Sequence, residues 1–164
     1  MFRQVVLPLK DKLLRVALRI TLCQEDAEDI VQETLLRLWR QTEQGTPIDN
    51  AEALAVTICR NLSLDLVARH EQRNVSLDAQ QHDHPDTARS PHDRLEADER
   101  RERIEQLINQ LPEKQRTALS LRDIEGHPYK EIARMMQISE ADVKVNIFRA
   151  RQRLRTLILQ SPNP

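Results

Sequence analysis

The sequence of 164 residues is poor in glycine and in aromatic side chains. Glycine occurs at only two positions, and aromatic residues make up 2% of the chain. Strands draw on aromatic residues and the turns between them draw on glycine, so this shortage favours helices over strands. We therefore predict an all-α protein, and the length allows one domain or two small ones.

Cysteines, long apolar runs and catalytic motifs are also scarce or missing. Cys23 and Cys59 lie in apolar surroundings far apart in the sequence. This is typical of buried thiols in a reducing compartment, while a disulfide or metal role stays open. No apolar run approaches the roughly 18 residues of a membrane span, and the N-terminus lacks the layout of a signal peptide, so we expect a cytoplasmic protein. No hydrolytic, redox or metal-binding set of residues stands out, so we expect neither an enzyme nor a cofactor.

Charge is abundant, and its sign changes along the chain. Charged residues make up 31% of the sequence, yet the net charge is only −1. Residues 70–93 hold two basic against five acidic residues, whereas residues 94–164 hold 14 basic against 11 acidic. Residues 143–160 contain no acidic residue at all. Charge segregated in this way points to a nucleic-acid partner more than the overall pI does.

Apolar residues recur at helical spacing in most of the chain. In residues 8–22 they recur as Leu9, Leu13, Val16 and Ile20, which form one face of a helix. Proline, glycine and capping residues then divide the chain into segments. The pattern predicts helices over residues 8–22, 25–42, 51–69, 94–110, 113–124 and 128–137, and a last long helix that starts after Ser139.

Residues 70–93 have no such period. They include four His and two Pro and carry a net charge of −3, a composition typical of a polar linker. His82 and His84 could contact a metal ion, but neither a cysteine nor a second histidine pair at helical spacing accompanies them. We therefore predict two small helical domains, 1–69 and 94–164, joined by a flexible acidic linker.

The last two predicted helices have the layout of a helix-turn-helix. A short helix over residues 128–137 is followed by a tight turn at residues 136–139, and Ser139 can cap the helix after it. In such a motif the second helix enters the major groove of DNA. Its buried stripe is predicted at Val143, Ile147, Ala150 and Leu154.

Residues off this stripe are the candidate DNA contacts. Near the start of the helix, Arg can read guanine and Val or Phe can pack on a thymine methyl group, whereas later arginines are better placed for phosphates. Solvated arginines that complement the helix dipole would give the same composition, but the preceding helix and turn favour DNA. The candidates are Lys144, Val145, Asn146, Phe148 and Arg149 near the start, and Arg151, Arg153 and Arg155 farther along.

Two blocks of sequence resemble the extracytoplasmic-function sigma factors of bacterial RNA polymerase. LPEKQRTALSLRDIEGHPYKEIARMMQISEADVKVNIFRARQRLR (residues 111–155) is similar to region 4 of that family. DAEDIVQETLLRLWR (residues 26–40) is similar to its region 2.2, and ICRNLSLD (residues 58–65) resembles its region 2.3–2.4 helix. The order and separation of the blocks also match, so the resemblance spans nearly the whole chain.

The resemblance implies a non-catalytic subunit that lends promoter recognition to RNA polymerase. Residues 1–69 would be region 2, which docks on the clamp helices of the β′ subunit and reads the −10 element. Residues 94–164 would be region 4, which reads the −35 element through the helix-turn-helix. The resemblance assigns docking on the polymerase to Asp29, Gln32, Glu33 and Arg37. It assigns contact with the −10 element to Asn50, Arg60, Asn61 and Asp65.

The resemblance also implies further partners, and the sequence departs from the family pattern at two positions. The β flap of the polymerase and an anti-sigma factor are the further partners, and the acidic linker would follow a nucleic-acid path. Leu54 stands where the family often has Trp, which implies a narrower promoter repertoire or a repacked core. Gln137 stands where the family usually has Gly. Since a non-Gly residue in a left-handed turn costs roughly 1 kcal/mol, we expect this turn to be wound differently.

Two other interpretations stay open. A free-standing regulator, whose N-terminal half dimerises or senses a signal, would bind duplex operator DNA alone. A sigma factor of this size would bind promoter DNA weakly until it joins polymerase. A helical adaptor that binds only protein would show no salt-dependent DNA binding by residues 94–164.

Overall fold

The described part of the chain is helical and contains no strand, which confirms the predicted all-α class. A computed structural model describes residues 7–76 and 96–160. A 3₁₀ turn at Leu7–Leu9 leads into the first helix, and a π-helical turn at Ser120–Ile124 extends the fifth. The helices are α1 (Lys10–Thr21), α2 (Gln24–Glu43), α3 (Ala51–Ser76), α4 (Glu96–Ile108), α5 (Glu113–Leu119), α6 (Tyr129–Met136) and α7 (Glu140–Gln160).

Helices α1 to α3 form the N-terminal half, residues 7–76. α1 packs against both α2 and α3, and the predicted apolar face of α1 is the buried one, since Leu13, Val16 and Ile20 are at most 6% exposed. On α3 the predicted Leu54, Ile58, Leu62 and Val67 are only half-buried. Apart from Arg60, the buried residues of α3 are small, which allows close helix approach: Ala53, Ala55, Val56, Cys59 and Ser63.

Helix α3 is longer than predicted. It continues to Ser76 rather than ending near Arg69, so the first part of the predicted linker is helical. Residues 70–73 are His, Glu, Gln and Arg, and no proline or glycine interrupts the helix there. The predicted histidine pair, His82 and His84, and the rest of residues 77–93 lie outside the described residues.

Helices α4 to α7 form the C-terminal half, residues 96–160. Pro112 precedes α5, as predicted, and Gly126 adopts a left-handed φ of +79° in the turn before α6. The buried guanidinium of Arg116 holds the α4–α5 junction, because it donates hydrogen bonds to the carbonyl groups of Asn109 and Leu111 at 3.1 and 2.9 Å. These carbonyls have no partner within α4.

The turn between α6 and α7 contradicts the expectation that Gln137 would be wound differently. Gln137 has φ 60° and ψ 43°, a left-handed conformation, and its amide donates to the carbonyl of Ala133. The amide of Ile138 donates to the same carbonyl at 3.1 Å, and the Ile138 side chain packs on the core. Such a helix end offsets the backbone cost, so the turn keeps a glycine-type geometry without a glycine.

The two halves pack directly on each other. α1 contacts α5, and α3 contacts α6, which in turn contacts α7. One continuous buried cluster joins the core of α1 to α3 with Leu121, Ile132, Met135 and Met136 of the C-terminal half. These four side chains are at most 1% exposed. The first helix of the helix-turn-helix is therefore attached to α3.

Candidate nucleic-acid interface

Helix α7 has one buried and one exposed face, as its sequence predicts. The hydroxyl of Ser139 accepts a hydrogen bond from the Asp142 amide at 3.0 Å, which confirms the predicted cap. Val143, Ile147 and Ala150 are at most 1% exposed, and Leu154 is half-buried. Packing of this stripe fixes the orientation of the helix and leaves its opposite face in solvent.

The exposed face begins with apolar and polar residues near the start of α7. Val145 is 42% and Phe148 61% exposed, values that are high for large apolar side chains. The ammonium of Lys144 lies 5.6 Å from the centroid of the Tyr129 ring. The side-chain amide of Asn146 donates to the Asp142 carbonyl at 2.9 Å. This face can supply apolar contact and hydrogen bonds to base edges.

A basic cleft lies beside this face. Arg149, Arg153 and Arg155 line it on α7, and Pro112 and Gln115 line it on the opposite side. The cleft has a volume of about 720 Å³, and its three arginines are exposed. Arg149 and Arg153 are four residues apart and so share one side of the helix. An anionic backbone could contact both at once.

Arg151 does not join the other predicted DNA residues. Its guanidinium makes two hydrogen bonds to the Asp123 carboxylate, at 3.1 and 2.6 Å. Hydrogen bonding to Asp123 raises the pKa of Arg151 despite partial desolvation. Arg151 lines an apolar groove of about 330 Å³, which also includes Leu154, Ile158 and Leu159. The helix therefore separates Arg151 from the cleft that Arg149 and Arg153 line.

The four predicted −10 residues lie in different environments. Asn50 is half-buried, and its side-chain oxygen accepts from the Ala53 amide at 3.0 Å at the start of α3. Asn61 and Asp65 are exposed, one turn apart on α3. Arg60 is only 6% exposed and points into the contact with the C-terminal half. Only Asn61 and Asp65 form one accessible surface.

The four predicted docking residues lie on α2. Asp29, Gln32 and Arg37 are exposed, and Glu33 accepts a hydrogen bond from the Arg37 guanidinium at 3.0 Å. Sequence reasoning missed Leu36, which is 41% exposed within the same stretch. Its exposure could have been predicted from the sequence, because Leu36 lies outside the buried stripe of α2. Trp39, three residues farther along the helix, is 45% exposed, so the two side chains form an apolar patch that is a candidate protein-binding surface.

The two cysteines differ in accessibility, and both are free thiols. Cys59 is fully buried, and desolvation raises its pKa to about 12. Cys23 is half-buried just before α2, and desolvation raises its pKa as well. Among the described residues, no group of three or more His, Cys, Asp or Glu could hold a metal ion, and no helix could span a membrane.

Two family models match the chain. The model of Sigma-70 region 2 matches residues 5–73, and the model of Sigma-70, region 4 matches residues 101–154. The N-terminal match contains the α2 surface and the candidate −10 residues, and the C-terminal match contains the helix-turn-helix. The two matches together cover most of the chain and fall in the order that the sequence blocks predicted.

Curated relatives and a solved structure are similar along nearly the whole chain. ECF RNA polymerase sigma factor SigE of Mycolicibacterium smegmatis is 33% identical over 88% of this chain and 56% of its own length. ECF RNA polymerase sigma factor SigM of Bacillus subtilis is 30% identical over 91% of this chain and 90% of its own. The sigma factor RpoE of Bartonella quintana, solved with the anti-sigma factor NepR, has a TM-score of 0.78, 23% identity and 98% coverage of both chains. At 23% identity, this similarity supports the fold of the chain and nothing further.

Proposed function

The chain belongs to the extracytoplasmic-function (ECF) sigma factors, which direct transcription initiation by RNA polymerase, and we propose that it reads promoters through two separate surfaces. The exposed face of α7 and the basic cleft beside it would bind the −35 element as duplex DNA. The exposed side of α3 would contribute to capture of the −10 element. Core polymerase would supply the catalytic site.

The α7 face supports −35 reading most strongly. Phe148 and Val145 lie near the start of a helix whose opposite face is buried, and a large part of their apolar surface faces solvent. Arg149 follows them and borders the basic cleft. Apolar contact with thymine and bidentate contact with guanine would together read sequence, while Arg153 would hold a phosphate.

Substitutions at two arginines separate these roles. Arg149→Ala should weaken binding to the preferred −35 duplex by about 1–3 kcal/mol and relax preference at one base pair. Arg153→Ala should weaken binding to all duplexes alike and lower the salt slope by about one. Arg101→Ala, which removes an exposed charge from α4, is the control. The measurement is fluorescence anisotropy on the full chain with a randomised −35 duplex series. Equal effects of both variants on every duplex would contradict the assignment.

The exposed residues of α3 support a smaller role in −10 recognition. Asn61 and Asp65 provide hydrogen-bonding groups to an unpaired base. Arg60 is engaged elsewhere in this conformation. We therefore expect Asn61→Ala to slow promoter opening without changing −35 duplex binding. Permanganate footprinting of the opened strand measures the first quantity, and anisotropy measures the second.

The α2 surface supports docking on the β′ clamp helices. It combines Asp29, Gln32 and the Glu33–Arg37 pair with the exposed Leu36. Loss of a central apolar side chain typically costs an interface more than loss of a rim charge. Leu36→Ala should therefore weaken binding to core polymerase about tenfold or more. Ile104→Ala, at an equal exposure of 41% on α4, is the matched control and should bind normally. Equal affinities for the two variants would exclude this surface.

The apolar groove at the end of α7 supports contact with the β flap. Ile158 and Leu159 are 43% and 79% exposed beside it, and burial of such side chains by a partner would be favourable. Ile158→Asp should lower core-polymerase affinity without affecting binding to −35 duplex. An anti-sigma factor, the kind of partner solved with RpoE of Bartonella quintana, is a further proposed ligand of this chain.

Reconstituted transcription tests the whole proposal. The purified chain is added to core polymerase on a library of promoter fragments, and start sites are mapped by sequencing. Specific starts that depend on Leu36 and Arg149 are expected. If the chain binds duplex DNA tightly alone but gives no specific start with core enzyme, it is a free-standing regulator and the proposal is wrong.

A further inference from the structure

We propose that a small cavity between α1 and α4 is a binding site for a phosphate group, held by Arg15, Arg19 and Asn109. The cavity has a volume of about 130 Å³, and Leu18 and Glu105 complete its lining. None of its lining residues belongs to the α7 face or to the α2 surface. The site is therefore additional to promoter reading and does not depend on the proposed function.

The guanidinium of Arg19 is largely buried and has no close counterion. Its side chain is 11% exposed. Its Nη1 atom lies 3.4 Å from Oδ1 of Asn109 and 3.8 Å from a carboxylate oxygen of Glu105, and both distances exceed the roughly 2.9 Å of a usual hydrogen bond. Within the described part of the chain, Nε and Nη2 of Arg19 have no partner. Buried charges are normally paired, so this arrangement favours an anion.

A second buried arginine adds to the positive charge beside Arg19. Arg116 is 8% exposed, and its Nε atom has no hydrogen-bond partner in the described chain. Burial lowers the pKa of Arg116; the Glu113 carboxylate raises it, and the charge of Arg19 lowers it further. Glu113 also accepts two hydrogen bonds from Arg60, at 3.0 Å each. Its charge is therefore not available to neutralise Arg19 as well.

Further hydrogen-bond donors surround the same position. Arg15 lies one turn before Arg19 on the same side of α1. It uses Nε and Nη2 to bind Glu125 at 2.8 and 3.0 Å, which leaves its Nη1 without a partner among the described residues. Both arginines also line a small adjoining cavity with Ser120, whose buried hydroxyl makes no hydrogen bond there. Guanidinium groups with unused N–H donors are the typical ligands of phosphate.

Charge and size favour a small anion of the phosphate class. Three arginines (Arg15, Arg19 and Arg116) against two glutamates (Glu105 and Glu125) give the surroundings a net charge of +1. The cavity is smaller than the roughly 300–1,000 Å³ of sites that enclose a whole drug-sized ligand, so a nucleotide can enter only by its phosphate end. Glu105 opposes an anion, but its side chain is 51% exposed and can turn to solvent.

The experiment is a titration of the full chain with sodium phosphate at neutral pH and constant ionic strength, with sodium chloride as the reference titrant. Proton–nitrogen correlation NMR spectra report the backbone amide of Leu18 and the side-chain amide of Asn109, which both line the cavity. These signals are present in every variant below, so the apparent Kd can be compared among them. Saturable shifts of both signals at millimolar phosphate are expected.

Three substitutions test the assignment. Arg19→Gln should weaken phosphate binding about tenfold to a hundredfold, because it removes charged donors. Glu105→Gln should tighten binding about twofold to fivefold, because it removes the opposing, partly exposed charge. Arg69→Gln removes an exposed charge from α3 and should leave the Kd unchanged. The opposite direction expected for Glu105→Gln keeps the test decisive if Arg19→Gln perturbs the fold.

Phosphate can also bind the basic cleft beside α7, so Arg153→Gln is titrated in parallel. If Arg153→Gln, rather than Arg19→Gln, removes the shifts of Leu18 and Asn109, the ion is bound elsewhere and the proposal is wrong. It is also overturned if the unmodified chain shows no saturable shift, or if neither Arg19→Gln nor Glu105→Gln changes the Kd. Failure of promoter-specific transcription would leave this result untouched.

A titration with guanosine diphosphate distinguishes the two sources of a phosphate group. Binding no tighter than that of inorganic phosphate assigns the cavity to the free ion. Tighter binding that Arg19→Gln removes assigns it to the phosphate end of a nucleotide. Tighter binding that Arg19→Gln leaves intact would overturn the role of Arg19 and with it the proposal.

Discussion

Replacement of Gln137, in the turn between α6 and α7, by glycine should stabilise the protein. Gln137 ends α6 with φ 60° and ψ 43°, and its side chain is exposed. Glycine adopts this backbone region at no steric cost, whereas any residue with a Cβ is strained there. The substitution therefore removes strain and loses no buried contact.

The expected gain follows from two opposing terms. Relief of the left-handed strain contributes about 1–2 kcal/mol. The greater freedom of glycine in the unfolded chain costs about 0.4–1 kcal/mol. The net increase in the free energy of unfolding is about 0.5–1 kcal/mol, which for a chain of this length corresponds to a rise in Tm of about 2 °C.

Thermal unfolding followed by circular dichroism and by fluorescence of the single tryptophan, Trp39, measures the effect and tests whether the two transitions coincide. Gln137→Ala is the control, because alanine keeps the Cβ and should give no gain. Leu22, also left-handed with φ 57°, should respond to Leu22→Gly in the same direction. If Gln137→Gly is no more stable than Gln137→Ala, the assigned strain is refuted.

Three further predictions concern a cap, an acid-sensitive contact and the thiols. Ser139→Ala should cost about 1 kcal/mol of stability by removing the cap of α7, as measured by urea unfolding, and an unchanged midpoint would contradict the cap. Burial alone would raise the pKa of Glu125, but hydrogen bonding and charge from Arg15 lower it overall. The contact therefore stabilises the fold fully above the ordinary glutamate pKa, and that stability is lost as pH falls through the lowered value. Arg15→Gln should flatten this acid dependence in unfolding measured from pH 6 to pH 3, and an unchanged slope would argue against it. Iodoacetamide should modify Cys23 but not Cys59 in the folded protein, as counted by mass spectrometry, and equal rates would contradict the burial of Cys59.

Helical periodicity predicted most of the fold because it depends on local spacing. The stripe of Val143, Ile147 and Ala150 is buried as its spacing required, and Ser139 caps its helix as its position before an acidic first turn indicated. The predicted end of α3 at Arg69 is wrong, because the apolar period ends there while the helix continues to Ser76. A solvated helix can continue without an apolar stripe when its residues are good helix formers.

Side-chain partners across the fold could not be predicted in the same way. Arg60 lies 53 residues before Glu113, and Arg151 lies 28 residues after Asp123. Residues so far apart in the sequence leave no local pattern that would pair them. An arginine that binds a distant carboxylate and an arginine in solvent look the same in a helical sequence. The exposure of the helix faces that carry the candidate residues could therefore be predicted from the sequence, while the engagement of individual arginines depends on tertiary packing.

The chemistry of the junction between the halves determines what could open it. Its charged residues, such as Arg60 and Glu113, can be hydrated after separation, so they add selectivity for the closed state at limited cost to the open one. Leu121, Ile132 and Met135 have no such alternative, because each is at most 1% exposed in the closed chain. Any of their surface that separation exposed to water would cost about 25 cal/mol per Å². Salt alone, which screens charges, should therefore not separate the two halves. Their separation would need binding energy that exceeds this apolar cost.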